Sequence, residues 1–326
     1  MRRLFLIACL ALPMCLPARA AQEEDMAKYR SDIDEGINLL RMGSPDETSR
    51  AIARFTSARK IQPEGAEAYY WIALAYSDLH NYLRAADNAK NATIYDDTLA
   101  EAWSLWGQVL LYQKDYNEAL NKLETAARLD PEDPVTQFNL GRVYYHGFKD
   151  PDSALAKFRI AWQKGMNLRR NNPAMIAMTV NSRLYMGCCE YDRGLKNDNP
   201  ANFEMAVNAF QDVIREQPNN YDALLRLSLA LRKINRSAEA ATILNNLLRH
   251  FEQTGENIDA KLLAEINLQL ADLYLKDPVA RAQDNNIVFV PYYLRNFLAL
   301  IGDSNHPAAE AARDYIAQTE RAARGM

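Results

Sequence analysis

The stretch WSLWGQVLLYQKDYNEALNKLETAARLDPED (Trp103–Asp133) holds two tryptophans, one glycine, spaced alanines and a closing proline. Trp103, Trp106, Gly107 and Leu110 recur at i, i+3, i+4 and i+7, the spacing of one face of an α-helix. QKDY interrupts the pattern, and Ala119, Leu123 and Ala126 resume it on a second helix. Pro131 ends that helix, because proline lacks an amide hydrogen and restricts the residue before it. Such a segment is either a cofactor site or one copy of a repeated packing unit, and the flanking sequence decides between them.

The flanking sequence repeats it. Ala51, Ala85 and Ala119 are each 34 residues apart, as are Ala58, Ala92 and Ala126, and Ala73, Gly107 and Gly141. Tyr69 shares a column with Trp103, and Tyr82 with Tyr116. Pro63 and Pro131 lie two periods apart, with Asp97 between them. Several independent columns at one spacing mark an array of like units. Gly107 and Ala119 are read as the place where the two helices of one unit cross closely, with Trp103 and Leu123 filling the space between units. The tryptophans are therefore core residues in this reading.

These residues resemble the tetratricopeptide repeat pattern W-x2-L-G-x2-Y, A-x3-F and P. The likeness is close in the unit at 100–133, where Trp106 stands for Leu and Leu110 for Tyr. The unit at 66–99 carries Tyr69, Ile72, Ala73, Tyr76, Ala85, Ala89 and Ala92 in the same columns. The unit at 134–171 carries Leu140, Gly141, Tyr144, Ala154, Phe158 and Ala161, with one extra residue in the FKDPDS turn. The unit near 32–65 is looser, its first helix offset by MGSPDE. Units near 172–219, 220–256 (with Ala240 in the alanine column) and 257–302 follow with insertions. The resemblance implies an all-α fold: a right-handed α-solenoid of about seven helix-turn-helix repeats over 32–302, with first helices on the concave side. Residues 303–326 (beginning SNHPAAEAARDY after Asp303) are alanine-rich and amphipathic, as expected of a C-terminal capping helix.

The chain opens with Arg2-Arg3, an apolar run from Leu4 to Leu16 and the small-x-small triplet Ala18-Arg19-Ala20. This is the form of a secretory signal peptide (1–20), followed by a short linker at 21–31. Secretion across the inner membrane, to a periplasmic or cell-envelope location, is the expectation. Lipidation at Cys15 in LPMC is the rival reading, disfavoured by Met14, where a small residue is wanted. After cleavage no direct membrane insertion is expected. Removing 1–20 takes away three arginines and no acid, so the net charge moves from −4 to −7. That balance argues against a nucleic-acid partner. Cys188 and Cys189 then remain, adjacent on one helix and pointing about 100° apart, so they are packing residues and not a disulfide.

Read in register, the concave face offers Tyr70, Leu74 and Ser77, then Ser104, Gln108 and Leu111, then Phe138, Arg142 and Tyr145. It continues with Leu184, Cys188 and Tyr191, then Leu225, Leu229 and Arg232. Two readings stand for these residues: a groove for a protein or peptide partner, or packing inside a tightly wound superhelix. Family members that grip a terminal carboxylate carry Lys, Arg and Asn at places where Tyr70, Leu74 and Leu105 stand here, so that activity is not expected. His80, His146, His250 and His306 are scattered without ligand spacing, and no zinc, nucleophile-elbow or phosphate-loop motif occurs. The expectation is a scaffold without catalysis, cofactor or metal. DNNIVFVPYY (284–293) is read as an extended piece covering the end of the array, or else a partner-binding flap.

Overall fold

The computed structural model describes residues 15–254, 259–278, 280, 289–302 and 305–323. Most of the signal segment (1–14) and the first half of DNNIVFVPYY (284–288) lie outside them. The described residues form helices and no strand. Contacts divide the chain into two compact units, 1–164 and 165–326.

The first unit begins with α1 (Cys15–Met42), and it departs from the expected linker at 21–31. Met26, Tyr29, Ile33, Ile37 and Leu40 recur every three or four residues through that segment, and they pack against Phe55, Ala51 and Ala58. An apolar stripe with a partner makes helix where counting repeat periods suggested none. Gly43 (φ 79) turns the chain, and Ser44 caps α2 (Pro45–Ile61), its Oγ accepting from the Glu47 amide at 3.3 Å. Then follow α3 (Ala66–Asp78), α4 (Tyr82–Tyr95), α5 (Ala100–Tyr112), α6 (Tyr116–Leu129) and α7 (Pro134–Arg142). A π-helical turn (Val143–Phe148) extends α7, and α8 (Pro151–Leu168) pairs back onto it.

The corner between first and second helix is built the same way in the second, third and fourth pairs. His80, Lys114 and Lys149 adopt left-handed backbone (φ 57, 65 and 53), the conformation that ends many helices. The next residue is an Asn or Asp whose side chain caps the second helix. Asn81 accepts from the Arg84 amide, Asp115 from Glu118 and Asp150 from Ser153. The fourth unit has one residue more in this corner, and the π-helical turn takes it up, since a π-turn holds one residue beyond an α-turn.

Within a pair, the crossing is set by matched sizes. A Cβ on Gly107 would lie 2.5 Å from Leu123 Cγ and 3.1 Å from the Ala119 carbonyl oxygen. A Cβ on Gly141 would lie 2.7 Å from the Phe158 ring, and one on Gly36 would collide with Phe55. Where the first helix carries Ala73, the second carries Ala89, and both are fully buried in one cluster. Glycine stands opposite a Leu or Phe and alanine opposite an alanine, so one partner of each crossing is small wherever the other is large.

The second unit holds α9 (Pro173–Asn197), α10 (Pro200–Glu216), α11 (Tyr221–Lys233), α12 (Ser237–Thr254), α13 (Ala260–Lys276), α14 (Val290–Ile301) and α15 (Ala309–Ala323). Gly187 faces Phe210 as Gly141 faces Phe158 (2.6 Å from a built Cβ). Polar links join successive first helices: Ser228 Oγ donates to Gln269 Oε1 at 2.8 Å, and Arg232 pairs with Asp272. The helix α15 packs on α14 through the buried Ala309 and Ala312. Among the described residues, four helix pairs in the first unit and three with a closing helix in the second make an all-α fold of tetratricopeptide-like pairs.

Candidate partner-binding face

The nine residues read as a groove divide by burial. Ser77, Ser104 and Leu111 are buried. Ser104 Oγ accepts from Thr136 Oγ1 at 2.8 Å, tying α5 to α7, and Leu111 packs with Leu123, Leu140 and Val143. These three stabilise the stack. Tyr70, Leu74, Gln108, Phe138, Arg142 and Tyr145 are half-buried, each touching neighbours and presenting some surface. Of the later columns, Leu184 and Cys188 are buried, and Tyr191, Leu225, Leu229 and Arg232 are half-buried.

The repeat-defining residues sit as follows. Ala85, Ala119 and Ala240 are fully buried, and Pro131 is exposed in its turn. Trp103 is half-buried, stacks on Trp106 with ring centroids 5.7 Å apart, and donates its indole N–H to the Asp97 carbonyl at 2.9 Å. It ties α5 to the turn that leads in from the preceding unit. Cys188 and Cys189 are buried in α9, and burial pushes both thiols up, that of Cys188 to about 12. A thiol held protonated is neither a nucleophile nor a ready metal ligand.

The structure also assembles a row of rings. Tyr82, at the start of α4, stacks on Tyr112, at the end of α5, with centroids 5.0 Å apart. The Arg142 guanidinium lies 5.0 Å from the Tyr112 ring and 5.9 Å from the Phe138 ring. Phe138 in turn rests against Phe158 at 5.7 Å, and His80 Nδ1 lies 3.1 Å from the Tyr82 hydroxyl. Tyr82 and Tyr112 were not among the groove residues predicted from register. Tyr82 belongs to a second helix, and Tyr112 falls one place past the column counted; the tyrosine column at 82 and 116 was the available signal. Beyond Arg142 the π-helical turn rotates Tyr145 and His146 away from an α-helical register, and Gly147 lets that turn lie against Tyr116 (2.5 Å from a built Cβ).

The same face has an acidic side. Burial, then the nearby charges of Glu101 and Asp133, push the Tyr70 hydroxyl up to about 12. Tyr29 is also raised to about 12, by burial and then by Glu67, whose carboxylate its hydroxyl meets at 3.5 Å. Among the described residues no group of three His, Cys, Asp or Glu side chains converges as metal ligands would. No helix among them is long and apolar enough to cross a membrane.

Family models match along this array: one described as "TPR repeat" over residues 107–147, "Tetratricopeptide repeat" over 201–253, and "Anaphase-promoting complex, cyclosome, subunit 3" over 47–126. The chain belongs to the tetratricopeptide repeat family. This repeat protein is similar in fold to pilF of Pseudomonas aeruginosa, with TM-score 0.56, 22% identity, 70% of this chain and 94% of that one covered. It is likewise similar to PilW, described as a widely conserved type IV pilus biogenesis factor (TM-score 0.57, 16% identity, 74% and 95% covered). The C-terminal part of a repeat protein from Cytophaga hutchinsonii covers 87% of the chain and 98% of its own length at TM-score 0.52 and 17% identity. Anaphase-promoting complex subunit 3 of Schizosaccharomyces pombe is 26% identical over 144 residues. The chain spans about a fifth (21%) of the length of that curated relative. These identities speak for the fold of this tetratricopeptide repeat protein and for no partner.

Proposed function

We propose that this chain is a non-catalytic scaffold of the bacterial cell envelope, exported through its N-terminal signal, which holds a segment of a partner protein against the first-helix face of α3, α5 and α7. The observation that carries the reading is the half-buried row Tyr70, Leu74, Gln108, Phe138, Arg142 and Tyr145 on successive first helices of one unit. Tyrosine and phenylalanine bind well at protein interfaces because they bury much area with few rotatable bonds, and arginine because its planar fork adds directed hydrogen bonds. The mature charge of −7 speaks against nucleic acid. The export signal in the sequence and the fold likeness to a pilus biogenesis factor support the envelope location.

The test is affinity capture from an envelope extract with the full mature chain, alongside Phe138→Ala and Tyr145→Ala variants whose helicity is checked by circular dichroism. The partner retained by the wild type is expected to be lost from both variants. Equal recovery by all three proteins would refute the face. The mass of the mature N-terminus tests export: Ala21 at the start supports the soluble form, and an acylated Cys15 supports the anchored alternative.

A further inference from the structure

Arg142 stands apart from the other arginines of the first-helix faces. Arg183 pairs with Asp212 at 2.8 Å, and Arg232 pairs with Asp272. Arg142 is half-buried, lies against Tyr112 and Phe138, and donates from Nη1 to Asn139 Oδ1 at 3.3 Å. Among the described residues no carboxylate pairs with it. Beside it the Asn139 carboxamide is 1% exposed, and its Nδ2 has no hydrogen-bond partner. A planar cation is thus oriented by two rings and one amide, with its charge left unmatched.

We propose that Arg142 is the anchor of a carboxylate subsite, and that the segment held on this face carries an aspartate or glutamate side chain placed to meet it. This rests on the scaffold reading above and adds the chemistry of the partner. A guanidinium meets a carboxylate through two parallel N–H donors, and the rings keep that fork from collapsing onto another group. Stacking over Tyr112, which is 39% exposed, holds the fork at the surface while limiting its contact with water. The row continues past Tyr112 to Tyr82 and His80. A segment lying along it passes through the subsite and does not end there, which favours an internal acid over a chain terminus.

The experiment uses the full mature chain and immobilised random peptides in two arms. One arm has amidated C-termini with Asp and Glu allowed; the other has free C-termini with no internal acid. The amidated arm is expected to yield binders enriched in an acid at one place. Arg142→Gln weakens the best of them about 10- to 100-fold, by the worth of a charge-assisted hydrogen bond. Arg142→Lys, keeping charge without the fork, falls between. Changing the peptide's acid to its amide gives the same loss, and adds nothing further in Arg142→Gln; this arm of the cycle leaves the protein intact. Acid-free peptides that bind wild type and Arg142→Gln alike would overturn the subsite and leave the groove standing. Binding confined to the free C-termini would overturn the side-chain assignment. A wild-type chain that selects no peptide overturns the groove reading, and this one with it.

Discussion

The closeness of α5 and α6 predicts a specific coupling between Gly107 and Leu123. Leu123 is fully buried, so Leu123→Ala should cost about 3 kcal/mol, the lost transfer energy plus a residual cavity. Gly107→Ala adds a methyl whose carbon would sit 2.5 Å from Leu123 Cγ, 2.9 Å from Cδ2 and 3.1 Å from the Ala119 carbonyl oxygen. The side chain can rotate, but the backbone oxygen cannot readily withdraw. Overpacking of this kind costs about 1–3 kcal/mol, while alanine in place of glycine returns about 1 kcal/mol of helix propensity. The net loss should be about 1 kcal/mol, and the two singles together about 4 kcal/mol. The double variant recreates the Ala73–Ala89 pair of the preceding unit, at the same 16-residue spacing, with the new methyl partly filling the cavity. It should therefore lose only about 2 kcal/mol, a favourable coupling of about 2 kcal/mol. Repeat arrays can open unit by unit, so the measurement should be local. Native-state hydrogen exchange by mass spectrometry on peptides from α5 and α6 reads the opening energy of that pair directly. Additive losses, or a Gly107→Ala variant at least as stable as wild type, would show that the helices do not cross at the distance described.

Three further outcomes follow from the same geometry. Lys114 sits at φ 65, where a side chain crowds the backbone, so Lys114→Gly should stabilise the chain by up to about 1 kcal/mol in urea denaturation, and Lys114→Val should destabilise it. Cys188 and Cys189 should resist a thiol reagent in the folded chain and both react in denaturant; fast native labelling of either would contradict their burial and raised pKa. Tyr29, Tyr70 and Tyr293 hold their protons to about 12 in the fold, against about 10 when unfolded. Their contribution is complete below pH ~10 and is lost as pH rises through ~12, so stability should fall across that window, with late-titrating tyrosines seen by ultraviolet absorbance. Tyr70→Phe should shallow the fall.

Most of the helix pairing was legible in the chain itself. A unit that cannot bury its apolar face alone must repeat its small and large residues in register, so the columns through Ala85, Gly107 and Ala119 carry the period. The alternation of Gly with Phe or Leu across a pair is written in the same columns, because close crossing excludes a Cβ on one side wherever the other is large. The corner residues Asn81, Asp115 and Asp150 mark the second-helix starts for an equally local reason: an orphan amide needs an acceptor within three residues.

What register counting could not supply depends on where the chain goes in space. The first helix takes in the expected linker around Met26 and Tyr29 because those residues find Phe55 and its neighbours, a contact invisible to a 34-residue period. Ser77, Ser104 and Leu111 share columns with exposed-looking positions, yet neighbouring helices cover them. The extra residue before Pro151 could have entered a loop; packing of the turn at Gly147 against Tyr116 places it in a π-helix and carries Tyr145 off its column. The Tyr82–Tyr112–Arg142 row joins three helices. Periodicity along a chain sets which face of each helix is apolar; only the stacking of helices decides which part of that face stays open and which cation is left there without an anion.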